Sequence, residues 1–244
     1  MARKISALAG VCALALAAAG SAHAADSLVI DFESGGYTLA GDGGGSATLS
    51  SAQFVSPGNS AQLMLPNGAT DFAKVIVDGS FGPLGGFTGS FSAYVPTGND
   101  RADLFPYMYV GVDSNQNGVF DFTGGPTGDS FVILFEPSGA NPLGTWYVDG
   151  LDATDTVHVV GGRQGLAALD YSSSNGGGLM SSLFGENGSA WGGYDVLQVR
   201  VGAGEWPNGG AYTAFVDDIS VPEPASMALL GMGLLGLRLV RRRR

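Results

Sequence analysis

The chain has 244 residues, 41 of them glycine, with 45% apolar residues and a formal net charge of −11. So much apolar content argues against disorder, and the acidic balance repels nucleic acid and anionic lipid surfaces. A single cysteine, Cys12, and two histidines, His23 and His158, exclude a disulfide framework, a thiolate metal site and a histidine-rich metal centre.

Arg3 and Lys4 open the chain and are followed by an uncharged apolar stretch from Ile5 to about Ala18. Ser21-Ala22-His23-Ala24 then offers the small residues that a signal peptidase requires. The pattern predicts a secretory signal peptide over residues 1–24, because the apolar stretch falls short of the ~20 residues that span a bilayer.

Residues 25–220 read as one all-β domain, a sandwich or jelly roll. Short apolar or alternating runs are punctuated by Gly, Asn, Asp and Pro. Strands are predicted at Leu28–Phe32, Gln62–Leu65, Phe72–Val77, Phe87–Val95, Tyr107–Val112, Phe131–Phe135, Trp146–Val148, Thr156–Val160, Val196–Val201 and Tyr212–Val221. Gly41–Gly45 and Gly176–Gly178 read as flexible loops, and one or two short helices are expected between Gln164 and Phe184. Seven of the eleven basic residues lie in the two end segments, whereas only Glu223 among the 22 acids does. The body therefore sets four cations (Lys74, Arg101, Arg163 and Arg200) against 21 acids, a net charge near −17. Such a surface suits divalent cations or simple solubility.

Asp113-Ser114-Asn115-Gln116-Asn117-Gly118-Val119-Phe120-Asp121 places oxygen donors at relative positions 1, 3, 5 and 9, glycine at 6 and a free carbonyl at 7. That is the ligand order of a Ca²⁺ loop, in which alternate side chains converge on one hard cation. The candidate metal ligands are Asp113, Asn115, Asn117, the Val119 carbonyl and Asp121. Position 12 is Gly124 rather than Glu, and the preceding segment reads as a strand. A Ca²⁺ loop here therefore needs a carboxylate from elsewhere, with Asp129 the nearest, and the competing reading is a polar hairpin turn around Asn117-Gly118.

Gly128-Asp129-Ser130-Phe131 and Asp155-Thr156-Val157-His158 resemble the serine and Asp-x-x-His blocks of GDSL-type esterases. They stand only 28 residues apart in a β-rich region, and a triad needs its members in contact, so no catalytic residue is assigned. Trp146, Trp191 and Trp206 are candidates for stacking on sugar rings, with core packing as the alternative. A noncatalytic surface protein that binds glycan is the leading expectation. A carbohydrate-active hydrolase using two carboxylates is the alternative. The chain has no phosphate loop, dinucleotide fingerprint or basic-aromatic stripe, so no nucleic-acid partner is expected.

At the C-terminus, Val221-Pro222-Glu223-Pro224 precedes an apolar run from Ala225 to Leu237, and the chain ends in Arg241 to Arg244. Clustered arginines after an apolar helix stay cytoplasmic, so the body faces outward. The run is short for a permanent anchor, and Gly231, Gly233 and Gly236 weaken it as a helix. Together Pro222, Glu223, Pro224, the short transmembrane helix and the arginines resemble the PEP-CTERM sorting signal over residues 221–244. The resemblance implies processing by an exosortase near the Pro-Glu-Pro motif. It also implies a transient inner-membrane anchor in a Gram-negative bacterium that makes extracellular polysaccharide, with final delivery to the cell surface or matrix. Asp31-Phe32-Glu33 and the closing Phe215–Val221 run loosely resemble the ends of jelly-roll domains similar to carbohydrate-binding modules. That likeness implies adjacent terminal strands and makes Asp31, Glu33 and Asp218 weaker candidates for a structural Ca²⁺.

Overall fold

The computed structural model describes residues 27–56, 58–66, 71–100, 104–123, 128–134, 142–161, 177–184, 191–204 and 210–222. The expected signal peptide, the apolar tail helix, Glu223, Pro224 and Trp206 lie outside these residues. No helix among the described residues is long and apolar enough to cross a membrane.

The described chain is built from thirteen strands in chain order. These are β1 Ser27–Ile30, β2 Thr38–Asp42, β3 Ser46–Ser50, β4 Ser60–Leu65, β5 Phe72–Asp78, β6 Gly89–Tyr94 and β7 Tyr107–Val112. They continue with β8 Ser130–Leu134, β9 Trp146–Leu151, β10 Thr156–Gly161, β11 Gly178–Leu179, β12 Val196–Gly204 and β13 Tyr212–Pro222. Short 3-10 turns at Leu84–Gly86, Met180–Phe184 and Trp191–Gly193 close one end. Every strand pair is antiparallel. Sheet A runs β3-β4-β13-β6-β9, with β1 also paired to β13, and sheet B runs β11-β10-β8-β7-β12-β5-β2.

Alternation along the strands makes the core. From sheet B, Ala73, Val75 and Val77 of β5, Met108, Val110 and Val112 of β7, and Val199, Val201 and Ala203 of β12 point inward. They meet Ala61, Leu63 and Leu65 of β4, Phe91 and Ala93 of β6, and Tyr212, Ala214 and Val216 of β13. Each buried branched or aromatic side chain contributes about 1.5–3 kcal/mol of transfer free energy, so these facing rows dominate the stability of the sandwich.

Two local expectations are corrected. Gly41–Gly45 is not a flexible loop. Gly41 and Asp42 finish β2 and the chain turns at Gly43, with the Gly45 N–H donating to the Asp42 carbonyl (3.0 Å), and then enters β3 in the other sheet. A Cβ on Gly45 would stand 2.7 Å from the Phe72 carbonyl carbon, so glycine here permits close backbone approach. The second correction concerns Gly176–Gly178, since Gly178 opens β11 and pairs with Val157 of β10. Of the short helices expected between Gln164 and Phe184, the described residues hold the 3-10 turn Met180–Phe184, and residues 162–176 lie outside them.

The terminal strands are adjacent, as the sequence suggests. Ser27 to Ile30 pair in register with Pro222 to Ile219. Strand β13 therefore continues two residues past the expected domain boundary at 220. It also carries a bulge between Asp217 and Ser220, where Asp218 adopts φ 46°. Asp217 is fully buried at this bulge and accepts N–H bonds from Val55 (2.7 Å), Ser56 (3.1 Å) and Asp218 (2.9 Å), which fastens the loop after β3 to the centre of sheet A.

Candidate functional site

The outer face of sheet B carries an aromatic cluster. β7 alternates so that Met108 and Val110 enter the core while Tyr107 and Tyr109 point outward. Cross-strand register then aligns Arg200 with Tyr109 and Ile76, and Gly202 with Tyr107 and Lys74. Phe72, Tyr107, Tyr109 and Phe131 form one continuous group of edge-on or tilted rings, with centroids 6.4, 6.0, 5.7 and 5.2 Å apart for successive contacts. A Cβ on Gly202 would stand 3.3 Å from the Phe72 ring, so glycine here leaves that ring uncrowded.

The loop between β7 and β8 extends the cluster. Phe120 and Phe122 pack on Phe131 at 5.0 and 4.6 Å. Each also lies on a glycine of the sheet, since a Cβ on Gly111 would sit 2.6 Å from the Phe120 ring and one on Gly161 would sit 2.7 Å from the Phe122 ring. Two cations border the rings. Lys74 lies 5.1 Å from the Phe72 centroid and pairs with Asp42. The Arg200 guanidinium lies 4.4 Å from the Phe131 centroid and 5.7 Å from that of Tyr109. Its Nε donates to Gln198 Oε1, and Gln198 Nε2 donates to Asp78 Oδ1 at 2.5 Å. Tyr109 and Phe131 are themselves buried, whereas Phe72, Tyr107 and Phe120 are partly exposed and Phe122 is exposed. The exposed parts of these rings, edged by fixed donors, are suited to stacking on the apolar faces of sugar rings while hydrogen-bonding their substituents.

The tryptophans singled out from sequence lie elsewhere. Trp191 is fully buried and packs with the core at the end closed by the 3-10 turns, so the sugar-stacking expectation is corrected for it. Its tilted neighbour is Tyr194, at 5.8 Å. Trp146 is half-buried on the outer face of sheet A, where it leans on Tyr94 (5.7 Å), which in turn meets Phe215 (6.1 Å). The rings of sheet B were legible only as a parity, because Tyr107 and Tyr109 alternate with Met108 and Val110.

The Asp113–Asp121 segment is a compact turn whose side-chain oxygens bind its own backbone. Asp113 accepts from the N–H groups of Asn117 (3.0 Å) and Gly118 (2.8 Å), and Asn117 Oδ1 accepts from that of Val119 (2.8 Å). Asn115 Nδ2 donates to Asp121 Oδ1 at 2.8 Å. Asp129 does join this loop, accepting from the N–H groups of Asn115 (3.3 Å) and Asp121 (2.8 Å). Burial raises the pKa of Asp129, and the neighbouring Asp121 and Asp113 carboxylates raise it further against those N–H bonds. Among the described residues no three carboxylate or histidine side chains are arranged to hold a metal ion.

The weaker candidates are spread along the seam of the terminal strands. Asp31 Oδ1 accepts from the Glu33 N–H (3.0 Å), which lowers its pKa. Glu33 accepts from Asn59 Nδ2 (3.2 Å), and Asp218 accepts from the Ser56 hydroxyl (2.5 Å). Ser130 and His158 do not form a catalytic pair. Ser130 is fully buried in register with the inward Val112, whereas His158 pairs with the outward Ile133. Burial lowers the His158 pKa.

Residues 220–244 match the PEP-CTERM protein-sorting motif, which indicates an exported protein processed at the membrane by an exosortase. No curated protein matches the sequence. In fold the chain is similar to a family 11 carbohydrate-binding module from Clostridium thermocellum in complex with a β-1,3-1,4-mixed-linked tetrasaccharide. That pair is 12% identical, with a TM-score of 0.43, over 82% of this chain and 98% of the other. It is similar also to the CBM22-1 xylan-binding domain of Paenibacillus barcinonensis Xyn10C, at 12% identity and a TM-score of 0.41 over 83% and 97%. A glycoside hydrolase domain, Endo-D from Streptococcus pneumoniae, matches at 9% identity and a TM-score of 0.40, over 76% of this chain and 21% of that one.

Proposed function

We propose that this chain is an exported, noncatalytic glycan-binding protein. Its sorting tail holds it briefly in the inner membrane of a Gram-negative bacterium, and exosortase then releases it to the cell surface or an extracellular matrix. The outer face of sheet B is the binding surface. The observation that carries the reading is the pair of partly exposed rings Phe72 and Tyr107, packed on the buried Tyr109, with Arg200 and Lys74 along the edges of the cluster. The acids beside that face are engaged as partners, Asp42 to Lys74 and Asp78 to Gln198, which favours binding over two-carboxylate hydrolysis.

Affinity electrophoresis of the full chain in non-ionic micelles, through gels holding single polysaccharides, tests the binding. Retardation in at least one gel, lost in Tyr107→Ala and Phe72→Ala, supports it. Unchanged mobility in every gel overturns it. Mass spectrometry of the protein from its native cells tests the sorting, since a chain that keeps Arg241 to Arg244 would contradict release.

Calcium is proposed at the Asp113–Asp121 loop, with Asp113, Asn115, Asn117, the Val119 carbonyl and Asp121 as ligands and Asp129 completing them. Asp129 reaches this loop through the N–H groups of Asn115 and Asp121, which supports the site, and a cation would have to draw the three carboxylates together. Binding would exchange the loop's internal N–H bonds for bonds to the cation. Titration calorimetry with CaCl₂ tests it. Absence of heat, together with a melting temperature unmoved by millimolar Ca²⁺, would dispose of the metal.

A further inference from the structure

We propose that the sheet B face selects a polysaccharide bearing carboxylates, with Arg200 as the residue that reads them. This rests on the glycan-binding reading and adds the charge of the ligand. The body has only four cations against 21 acids, yet two of the four border this one face. Lys74 is neutralised by Asp42. Arg200 is not neutralised, because among the described residues no carboxylate forms an ion pair with it. The nearest acid in the hydrogen-bond chain, Asp78, is bound to the Gln198 amide, and Gln198 in turn accepts only the Nε–H of Arg200.

The consequence is a guanidinium fixed in orientation but free at its terminal nitrogens. Gln198 holds one edge, Phe131 and Tyr109 support its plane, and no hydrogen bond within the described residues uses the Nη groups. A planar fork of this kind matches a carboxylate in two parallel charge-assisted bonds and adds the attraction of opposite charges, which a neutral hydroxyl cannot offer. In a protein with so many acids, an arginine held this way without a counter-ion is complementary to a negative charge supplied from outside. Repulsion from the acidic body acts over longer range and is screened beyond about 8 Å at physiological ionic strength, whereas the contact pair is not. It therefore slows encounter more than it weakens the bound state.

The test compares polygalacturonate with the same polymer after reduction of its carboxyls to alcohols, in EDTA, with the full chain in non-ionic micelles. Wild-type protein is expected to bind the uronate at least tenfold tighter than the reduced polymer. Arg200→Gln is expected to bind the two alike, at the weaker affinity, and Arg200→Lys to recover part of the preference. Tyr107→Ala is expected to weaken both. Equal or tighter binding of the reduced polymer by wild type would overturn the carboxylate inference and leave glycan binding standing. Binding of neither polymer, together with unchanged mobility in the wider polysaccharide panel, would remove both. The wild-type comparison needs no variant, so a failure of Arg200→Gln to fold leaves it decisive.

Discussion

The Arg200 guanidinium and the Phe131 ring stand 4.4 Å apart, and this contact joins the polar edge of sheet B to the loop that carries Phe120 and Phe122. Phe131→Leu keeps most of the buried volume but removes the ring. It should cost about 1–2 kcal/mol through the lost cation–π and aromatic contacts. Thermal unfolding should show a lower melting temperature. If Phe131→Leu melts with wild type, the contact is not stabilising.

Trp191 and Trp146 should separate cleanly. Trp191→Ala empties a fully buried site and should cost about 3–5 kcal/mol. Trp146→Ala lies on the opposite sheet from the proposed binding face and should leave polysaccharide retardation unchanged. Loss of retardation in Trp146→Ala, in a variant that still melts cooperatively, would move the binding surface to sheet A.

Asp217→Ala should release the loop after β3. It removes the acceptor for the Val55 and Ser56 N–H groups, at a cost of about 1–3 kcal/mol if they stay dry. Limited proteolysis should then cut between residues 51 and 56, where wild type resists. Equal resistance would show that the loop is held by other contacts.

Acid should stabilise the folded body before it harms it. Burial raises the pKa of Asp217 and Asp155 above the ordinary carboxylate value of 3.8. Their contribution is complete below that value and is lost as pH rises through the higher folded values. Lowering pH from 7 toward 4 in EDTA should therefore raise the melting temperature. His158 works the other way, because burial lowers its pKa from 6.5 and the unfolded chain takes the proton more readily on acidification. His158→Gln should steepen the rise. A melting temperature that falls steadily over this range in both proteins would refute the assignment.

Much of the architecture was legible because core strands announce themselves by alternation. Tyr107–Val112 is found as expected, and nine other predicted strands are recovered with ends shifted by one to three residues. β2 and β3 were missed because Thr38–Asp42 and Ser46–Ser50 are edge segments rich in Gly, Ser and Thr, and what makes them strands is pairing with β5 and β4. The binding face was hidden for a different reason. An aromatic residue carries no mark of which side of a sheet it occupies, so Trp191 reads like a platform and Tyr107 like core. Only the register that sets Gly202 against Tyr107 distinguishes them.

The pairing of Ser27 with Pro222 has a consequence for how the domain leaves the membrane. The first strand and the end of β13 lie side by side, so a tail that tethered the chain would hold it at the end of β13 where the folded domain also begins. A body held at the end of a central strand in this way would leave the faces of both sheets clear of the tether. The sheet B rings would be available to a polymer while the chain is still tethered, and capture of glycan and release from the bilayer need not occur in a fixed order.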